Sequence, residues 1–127
     1  MYFDIIEAIK NELISQGIEE QIFINYDNRT TTPAMALLFQ SCTRQQNDEK
    51  EIMTCLVGFR EKRSELGNLS RQVINFLTDI KELIGANYRI FYVLLDNELR
   101  LNQLNEKGEC ELFIEIKIFF EETTSTI

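Results

Sequence analysis

The side chains of this chain that could do chemistry are carboxylates, amines, guanidiniums, phenols and three thiols, because its 127 residues include no histidine. Without imidazole, Ser-His-Asp and Cys-His relays, histidine-containing metal cages and histidine general bases are all excluded. Catalysis would fall to carboxylate, Lys, Tyr or Cys alone. Paired acid/base work needs one carboxyl kept protonated by burial beside another that stays ionised. Glu19-Glu20, Asp48-Glu49, Glu121-Glu122 and the glutamates of the closing segment all fall on polar faces and do not offer that pairing. Asp96 follows an apolar run and is the least poor acid, but it reads more simply as a turn former. Cys42, Cys55 and Cys110 form no CxxC pair, and two of them lie in apolar stretches, so they read as reduced packing residues rather than metal ligands. The five glycines are each isolated, which excludes a glycine-rich phosphate cradle and P-loop nucleotide hydrolysis. The expectation is a protein that is not an enzyme, with no cofactor, metal or small-molecule substrate. A small enzyme using Cys55 or Asp96 is the outlying alternative.

Charge carries more information than reactivity does. Thirteen Lys+Arg against 21 Asp+Glu give a net charge of −8, which disfavours nucleic acid as a partner, since phosphate attraction supplies most such affinity. The charges are also segregated. Arg60, Lys62, Arg63 and Arg71 gather where a strand hands over to a helix, and residues 60–63 sum to 3 − 1 = +2 once Glu61 is counted. Residues 109–122 contain five Glu and one Lys, a net −4. A basic patch on one edge and an acidic strand on another suit head-to-tail contact between identical subunits, which closes into rings. A solvated rim of arginine and lysine is the plainer alternative.

The elements that would position these residues follow from periodicity. Tyr2, Ile5, Ile6, Ile9, Leu13 and Ile14 recur at three- and four-residue spacing up to Gln16. They predict an amphipathic helix ended by Gly17 in a left-handed cap. Ile22 to Tyr26 predicts a strand that ends in the turn-rich loop Asp27 to Pro33. Ala34 to Cys42 and Glu51 to Arg60 predict two more, joined by a polar hairpin connection and making three antiparallel strands. Gly58 within the third marks either a bulge or a small residue facing a bulky neighbour. Leu66, Leu69, Val73, Phe76, Leu77, Ile80, Leu83 and Ile84 trace one apolar stripe. They predict a second helix of about 20 residues, starting at a Ser64 N-cap and ending before Gly85. Tyr88 to Leu95 and Leu99 to Leu104 read as strands separated by an Asp96-Asn97 turn, and Asn105 to Gly108 as a further turn.

The closing segment has the clearest pattern. Cys110, Leu112, Ile114, Ile116, Ile118 and Phe120 fall on one face, while Phe113 and Phe119 interrupt the charged face, and a one-residue slip would expose the whole core side. The order α-β-β-β-α-β-β-β predicts an α+β domain over residues 1–122, two helices packed on a mainly antiparallel sheet, with a frayed tail at 123–127. Asp4, Glu7, Lys10 and Glu12 break up the N-terminus, and the longest apolar run, Ile90 to Leu95, is too short to span a bilayer. The expectation is a soluble protein made in a cytoplasm, with no membrane partner.

This arrangement resembles a known family. The N-terminal helix, three strands, the junction Leu56-Val57-Gly58-Phe59-Arg60-Glu61-Lys62-Arg63-Ser64-Glu65, a long second helix and the final strand Asn105 to Phe120 together are similar to the tail terminator and minor capsid proteins of long-tailed phages. The resemblance covers about residues 1–120 and is one of size, element order and hydrophobic pattern. It implies a structural virion or prophage protein, present in the bacterial host's cytoplasm during assembly and then in the virion. It also implies a ring of six subunits that caps the tail tube and joins it to the head, with tail-tube or head-connector proteins as partners. Candidate contact residues are Arg29 in the Asp27 to Pro33 loop, Arg60, Lys62, Arg63, Arg71, Glu111, Phe113 and Glu115. The alternative is an acidic cytoplasmic chaperone resembling those of type III secretion effectors, although such chains usually end in a helix.

Overall fold

The computed structural model describes residues 2–25, 32–44, 50–96 and 98–123. In chain order the elements are α1 (Tyr2–Ser15), β1 (Gln21–Ile24), β2 (Ala34–Arg44), β3 (Lys50–Lys62), a 3-10 turn (Arg63–Glu65), α2 (Asn68–Thr78), β4 (Leu83–Ile84), β5 (Tyr88–Leu95), β6 (Arg100–Leu104) and β7 (Glu109–Glu122). They form an α+β fold with two helices and one mainly antiparallel seven-stranded sheet, ordered β1-β2-β3-β7-β5-β4, with β6 also pairing β7.

The first helix ends as its sequence predicts. Gly17 has φ 113°, the Gly17 amide donates to the Ile14 carbonyl at 3.0 Å, and the Ile18 amide donates to that of Leu13 at 3.0 Å. Together these make the paired bonds of a Schellman cap, whose flanking Leu13 and Ile18 both enter the core. Ile5, Ile6, Ile9 and Leu13 from α1 and Leu69, Val73 and Leu77 from α2 pack with Met35, Leu37, Met53, Cys55, Val57, Phe59, Ile114, Ile116 and Ile118 on one sheet face. Along β7 every second residue from Cys110 to Phe120 is buried, in the expected register. Phe76 lies at the rim of this core, half-buried.

Several expectations are corrected. β1 pairs β2 in parallel, Gln21 opposite Ala34 through Ile24 opposite Leu37, so the first three strands are not all antiparallel. Alternation alone carries no strand direction, and residues 25–33 give the chain enough length to return to the start of a four-residue strand. The second helix has 11 residues, not about 20. Leu83 and Ile84, which fit its apolar stripe, instead pair with Ile90 and Arg89. Ser64 does not cap it; its N-cap is Gly67, left-handed at φ 93°. Gly58 causes no bulge, since it keeps register between Ala36 and Phe113. The Asp96 region does not reverse the chain. β5 and β6 lie end to end along the same side of β7, Leu95 opposite Ile116 and Arg100 opposite Phe113, and the Asp96 amide donates to the Glu115 carbonyl at 3.0 Å between them. They amount to one long strand with a break.

Bulges set the remaining faces. Each of β2, β5 and β6 slips by one residue, between Phe39 and Ser41, Ile90 and Tyr92, and Leu101 and Gln103. The slip in β5 lets Ile90 and Val93, three apart, both point to the core, because the extra residue restores the alternation of side chains.

Candidate functional site

At the Lys62 end of the sheet the chain leaves β3, makes the 3-10 turn and enters α2. Glu61 decides the geometry there. Its carboxylate is 1% exposed and accepts four hydrogen bonds: from the amides of Gly67 (3.1 Å), Leu69 (2.6 Å) and Ser70 (3.0 Å) and from the Ser70 hydroxyl (3.0 Å). An anion at a helix N-terminus satisfies amides that lack intrahelical partners and complements the helix dipole. Here it also ties α2 to the strand. Glu61 therefore faces inward and directs its acceptor oxygens to α2, while Lys62 and Arg63 lie at the surface.

The predicted basic cluster divides in two. Arg60 is half-buried on the face away from the helices and forms an ion pair at 2.5 Å with Glu111, its partner across β3 and β7. Lys62, Arg63 and Arg71 are exposed. Lys62 and Arg63 are joined by Lys107, which the sequence reading did not select. The three line a cleft of about 770 Å³ with Ser64, Gly108 and Glu109. Lys107 comes from the β6–β7 turn, which is held against the junction where the Arg63 amide donates to the Gly108 carbonyl at 2.7 Å. Lys62 lies opposite Glu109 in the ladder, so only the strand register brings this lysine there. Among the described residues, the side chains of Lys62, Arg63 and Lys107 make no salt bridge or hydrogen bond. Glu109 on the cleft wall is engaged by the Thr32 hydroxyl and by Asn105, which hold its carboxyl below the ordinary carboxylate range.

The acidic closing strand is not an edge, which corrects the expected seam. β7 lies inside the sheet, with β3 on one side and β5 and β6 on the other. Glu111 is taken by Arg60, and Glu121 lies 4.0 Å from Arg89. Glu111, Phe113 and Glu115 share the face opposite the helices, all half-buried. Phe113 sits across from Gly58, and Phe119 stacks on Tyr92 with ring centroids 4.6 Å apart. Ile52 and Leu56 continue this strip, and Tyr92 (42% exposed) and Leu94 (49%) extend it. Arg29 lies outside the described residues, as do most of the Asp27 to Pro33 loop and residues 124–127 of the tail.

Cys42 and Cys55 are held in the unreactive thiol form. Burial pushes Cys55 up to about 12 and also raises Cys42, which lies 3.7 Å from the Glu51 carboxylate. Thiolate is the reactive form, so Cys55 at pH 8 holds only about one part in ten thousand of it. Cys110 is 3% exposed. Under native conditions at pH 8, iodoacetamide should therefore modify at most Cys42, slowly, with all three thiols reacting in denaturant. Rapid native labelling of Cys55, read by peptide mass, would contradict its burial. Asp96 faces Lys117 at 3.6 Å, an ordinary surface pair. Among the described residues no group of three His, Cys, Asp or Glu stands close enough to hold a metal ion, and no helix is long and apolar enough to cross a membrane.

What this arrangement offers is surface: a cationic cleft at one end of the sheet and a half-covered apolar strip on its outer face. No protein-family model matches the chain, and no curated protein matches it.

Proposed function

We propose that this chain is a structural virion or prophage protein that caps a phage tail tube and joins tail to head as a ring of six identical subunits. The observation that carries the reading is the one-sided covering of the sheet. Both helices pack on one face, while the other carries Ile52, Leu56, Phe113 and Phe119 half-buried and Tyr92 and Leu94 more open. Partly open apolar side chains interspersed with charged ones, here Glu115 and Lys117 between Phe113 and Phe119, are the composition of a protein contact. The resemblance in size and element order to tail terminators supplies the kind of assembly.

Light scattering over a concentration series, with negative-stain images of the same samples, tests this. Rings, or a monomer that assembles on isolated tail tubes, are expected. A stable dimer that never forms rings and ignores tubes would overturn the reading in favour of a secretion-effector chaperone.

A further inference from the structure

The two edges of the sheet are unlike. On one side of β7 the short β4 covers only Arg89 and Ile90 of β5, so from Tyr92 to Leu95 and all along β6 the chain pairs with β7 alone. The Asp96 amide donates to the Glu115 carbonyl and the Asn105 amide to that of Glu109, both on β7. Successive residues of a strand direct their main-chain groups to opposite sides, so Val93, Leu95 and Leu104 turn theirs away from β7. Among the described residues these groups have no partner on that side.

Apolar side chains gather on the same flank. Of the eleven large ones that stand exposed among the described residues, six are Ile84, Tyr92, Leu94, Leu95, Leu101 and Leu104. Leu101 and Leu104 lie opposite Leu112 and Cys110, yet they are 56% and 48% exposed because the helices do not cover β6. Natural sheets guard such an edge with lysine, proline or bulges. Bulges bend this one after Ile90 and after Leu101, but residues 88–104 contain neither lysine nor proline. The charges from Tyr92 to Leu104 are answered within the chain, Asp96 by Lys117 at 3.6 Å and Glu98 by Arg100 at 3.9 Å, so none is left to oppose an apolar contact. The opposite edge offers no match: β1 has four residues, and past its end β2 exposes Gln40, Ser41, Thr43 and Arg44.

We propose that a second copy of this chain covers the β5–β6 edge with its own β5–β6 edge, antiparallel about a two-fold axis perpendicular to the sheet. β5 and β6 run in one direction, both antiparallel to β7, so β5 of one copy faces β6 of the other and the two sheets become one. The outward amides and carbonyls gain partners, as in strand addition at a sheet edge. The axis keeps the helix sides together, so Leu95, Leu101 and Leu104 of both copies gather on one face and Tyr92 and Leu94 on the other. This contact goes beyond the ring reading and does not rest on it.

Sedimentation of the unaltered chain over a concentration series should show a dimer as the first assembled species. Leu101→Lys with Leu104→Lys should raise the concentration needed for that dimer about tenfold or more, because leucine contact is lost and like charges meet near the axis. Both side chains are exposed, so circular dichroism and melting of the dilute monomer should not change; Leu104→Lys alone replaces the pair if they do. Hydrogen exchange identifies the surface: the Val93, Leu95 and Leu104 amides should slow about tenfold or more as the protein is concentrated, while the Asp96 amide, turned toward β7, keeps its rate. A dimer in which the three outward amides exchange as in the dilute monomer, or which the lysine pair leaves intact, uses another surface and overturns the contact. So does a chain that stays monomeric at millimolar concentration. Rings formed without this edge leave the ring reading standing alone, whereas an edge-paired dimer that never forms rings sustains the contact and overturns the ring.

Discussion

Replacing Glu61 with alanine should lower the stability of the fold by about 3–5 kcal/mol, the range seen when one partner of a buried charged contact is removed. The reason is geometric. The Glu61 carboxylate serves three amides and one hydroxyl, and two of those amides belong to Leu69 and Ser70, which are 2% and 0% exposed. Water does not reach them readily, so the truncation leaves buried donors unsatisfied as well as losing the bonds. For a chain this size the melting temperature should fall by roughly 10–15 °C. Glu61→Gln keeps one acceptor oxygen but turns an amide NH2 toward the donors, so it should fall between alanine and the native residue. Hydrogen exchange gives the specific signature: the Leu69 and Ser70 amides should exchange faster than those of α1 at equal global stability. A urea midpoint within error of the unaltered protein would show that α2 does not depend on this carboxylate.

Phe59→Ala should cost a comparable amount, about 3–5 kcal/mol, by a different mechanism. Phe59 is 0% exposed in the last third of β3, between Met35 and Leu112 on the neighbouring strands. Removing the ring loses its burial and leaves a cavity that a long strand pinned on both sides cannot close by shifting. Phe113→Ala is the control. It is close by in the ladder, opposite Gly58, but on the half-covered outer face, so it should cost clearly less in urea. Equal losses at the two positions would mean that the outer face is packed as tightly as the core. That would remove the basis for reading it as a contact surface.

Strict alternation was the part of the fold legible residue by residue. From Cys110 to Phe120 the apolar positions recur every second residue, and a strand buried on one face can satisfy that pattern in only one register. The α1 cap was equally local: Gly17 tolerates the left-handed conformation that the chain needs immediately after the last turn. Types of element were legible where length and period agreed. They failed at Leu83-Ile84, where two apolar residues at helical spacing fit a stripe and a short strand alike.

Tertiary structure alone decided the rest, because each case depends on which strands become neighbours. The parallel course of β1, the joining of β5 and β6 into one interrupted strand, and the interior place of β7 leave no mark on the periodicity of any segment. Glu61 looked like one more surface charge until α2 began seven residues on with its amides pointing back at it. Lys107 looked like a turn residue until the pairing of Lys62 with Glu109 set it beside Arg63. Composition determined that this chain works without imidazole and carries an excess of eight negative charges. Which charges meet within the chain, and which are left to face a partner, depends on distances between residues far apart in sequence, and folding sets those distances.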